Sequence, residues 1–311
     1  MSKTPANHST TSRGSHCRRI SVIAMHAFTQ LVRMKVFYFL AVVAVIAIGS
    51  NFFELPQHTG PEVDGINVLR SIKSWSLGTM TLFSVVFAIV ATALLLPKDV
   101  EDRTLYTILA KPVPRLDYLA GKLLGVLLLV LVSLALMDLL MTAVLQIRTS
   151  MIMHQQMDIA QARGWSVAET ASLRADILTQ GPTGSLQGAV FAVFLRASIM
   201  ASLALLISTF SSSTLFTSII SFLIYFIGHF QADARGVFLE SGAADTGLIT
   251  RIVSLLVSLV LPDFQLFNVI DRVIEGQGMP LMLLGQLSAI GLFYAVFYTL
   301  ASWFIFAEKE F

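Results

Sequence analysis

The hydrophobic and polar positions of this chain alternate in long blocks, not residue by residue. A helix needs about 20 mostly apolar residues, at 1.5 Å rise each, to cross the hydrocarbon core of a bilayer. Six blocks fit or approach that requirement, at residues 36–53, 77–96, 119–146, 188–210, 215–230 and 283–306. The second stops at Pro97-Lys98-Asp99, and the third is long and Leu-rich, which predicts a tilted span or one that projects beyond the bilayer. One further apolar stretch, 249–261, is too short to span and ends at Pro262-Asp263. It predicts a re-entrant or interfacial helix between spans five and six, with a seventh span as the alternative. The predicted fold class is therefore all-α integral membrane, with six transmembrane helices.

Ahead of the first block the pattern changes twice. Residues 1–17 are polar and predict a disordered cytoplasmic tail; with no apolar h-region, they do not read as a cleaved signal peptide. Residues 18–35 become amphipathic at helical period, with Arg19, His26, Gln30 and Arg33 on one face and Ile20, Ile23, Ala27, Leu31 and Met34 on the other. A basic face over an apolar one predicts a helix lying on the bilayer surface. An extended first span, the alternative, would bury Arg33 and Lys35 in lipid. Residues 36–311 then form the six-span domain.

Composition agrees with lipid as the solvent. The chain is 55% hydrophobic and 13% charged, where a soluble protein carries roughly 25% charged residues. A net charge of +2 gives no reason to expect a nucleic-acid partner. A single cysteine, Cys17, excludes an intramolecular disulfide and a Cys-rich metal site. The six histidines are scattered, with no His-Glu-x-x-His pair and no Gly-x-Ser-x-Gly turn, so no metal site and no catalytic residue is predicted. The distribution of cations is more informative than the total. Lys3, Arg13, Arg18, Arg19, Arg33 and Lys35 precede span one, and Lys98, Arg103, Lys111, Arg115 and Lys122 lie between spans two and three. The positive-inside rule puts both regions, and with six spans both termini, in the cytoplasm of a multi-pass protein of the cell membrane.

The interval between spans two and three carries the clearest message. Asp99, Glu101 and Asp102 supply negative charge suited to a helix N-terminus, and Leu105, Ile108 and Leu109 follow at i, i+3, i+4 spacing. Pro112 and Pro114 then stop the helix. The expected product is a short cytoplasmic helix with acids at one end and an apolar side able to dock into a groove.

In these residues the chain resembles the ABC-2 class of ABC-transporter permeases, the membrane subunits of ATP-driven exporters. That family carries an acidic pair, Gly-Thr-Leu, a Leu-rich turn, Pro-Val-Ser-Arg, and a Gly-Lys opening span three. Asp99 and Glu101 fall on the acidic pair, Thr104-Leu105 on Thr-Leu, and Ile108-Leu109 on the Leu-rich turn. Pro112, Val113 and Arg115 fall on the proline motif, and Gly121-Lys122 on the Gly-Lys. Arg103 and Pro114 depart from the usual Gly and Ser. The resemblance implies that this segment is a coupling helix seated on a separate ATPase subunit, which would bind ATP-Mg. It also implies that the turn Ser208–Thr214 makes a second contact. A second permease chain, as homodimer or heterodimer, would complete the transporter. The chain has no Gly-x4-Gly-Lys-Ser/Thr phosphate loop, so it is expected to be a transport permease without an ATPase site or cofactor of its own.

Two charges fall deep inside predicted spans, Asp138 in span three and Arg196 in span four. A charge at the bilayer centre costs about 2.5–3.5 kcal/mol by insertion scales, and the two are expected to pair, as structural glue or as part of a substrate path. They are also the only set available to an intramembrane enzyme, one of two alternative functions. The other is a membrane anchor that recruits an ATPase without transporting anything. The segment 231–280 is expected to cap the exit side between spans five and six.

Overall fold

The computed structural model describes residues 11–52, 64–101, 114–211, 213–240 and 261–308. Among them the chain is helical, without strands: α1 (Thr11–Val32), α2 (Lys35–Gly49), α3 (Asp64–Glu101), α4 (Arg115–Ala162), α5 (Val167–Gln180), α6 (Gly184–Phe210), α7 (Thr214–Glu240), α8 (Ile270–Ile274) and α9 (Leu281–Glu308). Four stretches, Ile66–Leu95, Arg115–Ala162, Val167–Phe210 and Leu281–Glu308, are long and apolar enough to cross a membrane. The pair α1 and α2, bent by 70° at a break, raises the number to five if counted as one span. Thr214–Phe230 is apolar but shorter.

Five of the predicted runs sit inside these helices, and several helices run far past them. The first run, 36–53, outlasts α2, which ends at Gly49 and passes into a 3-10 turn at Ser50–Phe52, and residue 53 lies outside the described residues. α3 begins at Asp64, well ahead of residue 77, and continues through Pro97 to Glu101. Proline so near a helix end removes only one backbone bond, too little to stop the helix at that point. α4 extends from Arg115 to Ala162, 48 residues, or about 72 Å, more than twice the ~30 Å hydrocarbon thickness. Its surplus carries on past residue 146 and turns back through α5. That turn is a Schellman motif: Trp165 N–H donates to Ala160 O (3.0 Å) and Gly164 N–H to Gln161 O (3.1 Å), with Gly164 at φ +70°. A capping box then starts α5. Ser166 Oγ accepts from Glu169 N–H (3.3 Å), and Ser166 N–H donates back to the Glu169 carboxylate (2.8 Å).

The core is organised around α6. It is mostly apolar and mostly buried around its whole circumference, and it packs against α3, α4, α7 and α9. Its inward surfaces are small, with Ala189, Ala192, Ala197, Ala201 and Ala204 all buried, which lets neighbouring backbones approach.

At the N-terminus the structure departs from two expectations. Helix α1 starts at Thr11, so residues 11–17 are helical; residues 1–10 lie outside the described ones. Of the expected polar face, Arg19, His26 and Arg33 are exposed, while Gln30 is half-buried. The apolar face, however, is covered by protein: Ala27 and Leu31 are buried and the helix packs along α4. Glycines make this possible. A Cβ on Gly121 would lie 2.7 Å from the Ile23 side chain, and one on Gly125 would lie 2.6 Å from Ala27 Cβ. The stretch 249–261 lies outside the described residues apart from Leu261.

Candidate functional site

Two clusters of polar side chains stand out, one at each end of the bundle. The first lies where α1, the start of α4 and the end of α9 converge. Pro114 is the N-cap residue of α4, and Asp117 sits in the first turn, where the helix dipole favours a carboxylate. Asp117 is buried, and its Oδ2 lies 2.7 Å from His16 Nδ1 on α1. Arg115 reaches the last turn of α9: its Nη1 donates to Phe306 O and Ala307 O, both at 2.7 Å. The last carbonyls of a helix have no partner within it, and a guanidinium satisfies them while opposing the negative end of the dipole. Around this contact the Tyr118 and Phe306 rings stack 6.2 Å apart, and Lys122 Nζ lies 5.7 Å from the Tyr118 centroid.

Of the residues expected to meet an ATPase, Thr104, Leu105, Ile108, Leu109, Pro112 and Val113 lie outside the described residues. Asp99 and Glu101 are in the closing turn of α3. Lys122 is 3% exposed, and the Arg115 guanidinium is engaged within the chain. Both belong to the described framework next to residues 102–113, which lie between the end of α3 and Pro114. The turn after α6 lies at the same end by helix direction; in it Ser211 Oγ accepts from Ser213 N–H (3.1 Å).

The second cluster lies toward the other end. Arg196, buried on α6, donates from Nη2 to Phe264 O (2.9 Å), with the Tyr225 phenol of α7 beside it. The segment after Pro262 is thereby held against α7. Phe264 N–H donates to Gly228 O (3.2 Å) and Gln265 Nε2 to His229 O (2.9 Å). Gly228 is needed there, because a Cβ would come within 2.7 Å of both the Phe264 ring and Pro262 O.

The expected Asp138–Arg196 pair does not form. Asp138 Oδ1 accepts from Gln187 Nε2 (3.2 Å) instead. Arg196 sits two and a half turns further along α6, about 13 Å from the level of Gln187. Counting depth from the ends of the apolar runs misjudged the register, because α4 continues well beyond its run. No common site therefore unites the two charges for intramembrane catalysis.

Three features were missed by pattern reading. The first is the His16–Asp117 contact, which links residues far apart in sequence. The second is a fully buried Lys73 on α3, whose Nζ donates to Gln180 Oε1 at the end of α5 (3.1 Å). The third is α5 itself, although Ser166-Val167-Ala168-Glu169 carries a legible capping-box signature. Gly121 and Gly125 also form a Gly-x-x-x-Gly spacing, a signal for close helix contact that the Gly-Lys reading had passed over.

An all-helical chain of long apolar spans, with a short polar interval returning into a tightly braced α4, has the form of a transport permease. The family profile for ABC-2 family transporter protein matches residues 21–231, from within α1 to the end of the apolar part of α7. The chain belongs to that family and is a multi-pass membrane permease of an ABC transporter. Membership implies association with an ABC ATPase. No curated protein matches the chain.

Proposed function

We propose that this permease exports its substrate as one half of a dimer, homomeric or heteromeric, powered by ATP-Mg bound on a separate ATPase subunit. Six spans place both termini in the cytoplasm, with residues 99–115 forming the coupling segment that the ATPase grips and the Ser208–Thr214 turn as its second contact. Glu101 and the acids beside it present the charged end, and Leu105, Ile108 and Leu109 the docking side.

The observation that carries this reading is the position of Arg115. It directly follows Pro114, the first described residue after positions 102–113, and its guanidinium grips the closing carbonyls of α9. Movement imposed on the segment would reach α4 directly, α9 through Arg115, and α1 through Asp117 and His16. A closing motion of two ATPases could in this way tilt three helices together.

The test is purification of the chain with its ATPase and measurement of ATP turnover in vesicles. Arg115→Ala is expected to leave the complex assembled while cutting permease-dependent stimulation of turnover at least severalfold, because the ATPase contacts remain and the link to α9 is lost. Arg115→Lys, which retains one charge but not the fork geometry, should fall between. Failure of any ATPase to co-purify would sink the reading. Binding with no substrate-dependent turnover or transport would favour the anchoring alternative.

A further inference from the structure

The bend between α1 and α2 opens a groove on the outside of the bundle. Leu31 and Met34 line it at the bend, Phe37 and Leu40 on α2, and Phe87 and Ala91 on α3; all ten lining residues are apolar. It holds about 280 Å³ of atom-free space, its open mouth included. Little of that space is enclosed, so it is a shallow furrow that takes one side of a slender chain and cannot enclose a bulky solute. Arg33 and Lys35 flank its lining residue Met34 in sequence, and both are exposed. Nothing nearby in the sequence offsets them: residues 1–53 hold six Lys and Arg and no Asp or Glu.

We propose that this groove binds one acyl chain of an anionic phospholipid, with Arg33 and Lys35 holding its phosphate headgroup. Charge selects the occupant. A second copy packed here by two-fold symmetry would bring its own Arg33 and Lys35 against these, and like charges repel. A zwitterionic lipid would fill the groove but bring a phosphate already offset by its own ammonium, leaving both cations without a net counter-charge. Apolar contact alone does not discriminate inside a bilayer, where every lipid tail is equally apolar. Selectivity therefore resides in the headgroup, with each basic side chain near an anionic surface worth roughly fivefold in affinity. The α1 side that faces away from α4 supports this placement, with Val22 and Met25 exposed next to Arg18. The site needs the chain to lie in a membrane but does not depend on an ATPase partner.

A tryptophan reporter tests it. The full chain carrying Leu40→Trp, with Trp75, Trp165 and Trp303 replaced by Phe, is reconstituted into phosphatidylcholine vesicles containing acyl-brominated phosphatidylglycerol or acyl-brominated phosphatidylcholine. Half-quenching is expected at an order-of-magnitude lower mole fraction of the brominated phosphatidylglycerol. Arg33→Gln with Lys35→Gln should erase that preference, and Arg33→Lys with Lys35→Arg should keep it. A second reporter, Phe304→Trp on the exposed side of α9, should show no preference. Excess glycerol 3-phosphate should not relieve quenching at position 40. Equal quenching by the two lipids, or a preference that survives the glutamine pair or recurs at position 304, would overturn the proposal. So would no quenching at all, which would mean that protein covers the groove, and so would relief by glycerol 3-phosphate, which would make it a site for phosphate alone.

Discussion

Lys73 shows how a single residue can join two parts of this protein. Its side chain is completely buried on α3, and it donates to Gln180 where α5 ends. Among the described residues no carboxylate pairs with it. Gly276 lies against the same amide: a Cβ there would be 3.0 Å from Gln180 Nε2. An amide oxygen is thus the acceptor that makes a buried ammonium tolerable, and removing it leaves a charged donor without a partner. Losing one member of a buried hydrogen bond to a charged group costs about 2–4 kcal/mol, whereas replacing both members by apolar groups is close to neutral. Gln180→Leu is therefore expected to lower the thermal midpoint in detergent markedly, and Lys73→Met with Gln180→Leu to recover most of the loss. If the double variant were as unstable as the two singles combined, the contact would not be the source. None of this was legible beforehand. Lys73 lies ahead of the apolar block 77–96, close to Arg70, where the pattern marks nothing unusual, and its partner lies 107 residues away and is chosen by packing.

Among the elements, the pairing of α1 with α4 was half legible. The helical period in residues 18–35 marked the right apolar face, because period alone determines which side chains share a surface. What covers that face is a separate matter. The pattern reads the same for lipid and for a protein neighbour, and only the glycine gap on α4 distinguishes them. Gly125 admits α1 so closely that an added Cβ would also sit 2.7 Å from Ala24 O, a backbone atom that cannot yield. Gly125→Leu is accordingly expected to displace α1 and destabilise the protein by about 1–3 kcal/mol. Gly78→Leu on α3, where an added Cβ meets nothing within 4 Å, should cost less. Protease sensitivity of α1 in the Gly125→Leu and Gly78→Leu proteins is the direct measurement, and equal sensitivity would sink the idea.

For the whole molecule, the consequential contact is Arg196 with Phe264. It joins the central helix α6 to the segment that returns after Pro262, and that segment is fastened to α7 by Gly228 and His229. Arg196→Met is expected to free the segment and leave the rest of the bundle intact. A cysteine placed at Asp263, now mostly buried, should then react with a water-soluble maleimide at least tenfold faster. Unchanged labelling would show that the segment is held by other means. The absence of a contact between Asp138 and Arg196 adds a second outcome: exchanging them should rescue neither single change, because each has its own partner.

The sequence by itself determined the class of protein, the positions of the apolar helices and the residues that carry the family resemblance. Composition and period, local quantities that survive without knowledge of neighbours, give the membrane class and the apolar helices, while the motif residues carry the resemblance. The tertiary structure decided how far each helix runs and which buried charge meets which partner. It also decided that the apolar side of α1 belongs to α4, and that Arg115 braces α9. Those outcomes depend on register between helices distant in the chain. A helix pair slides by whole turns without changing either sequence pattern, so only packing selects the alignment.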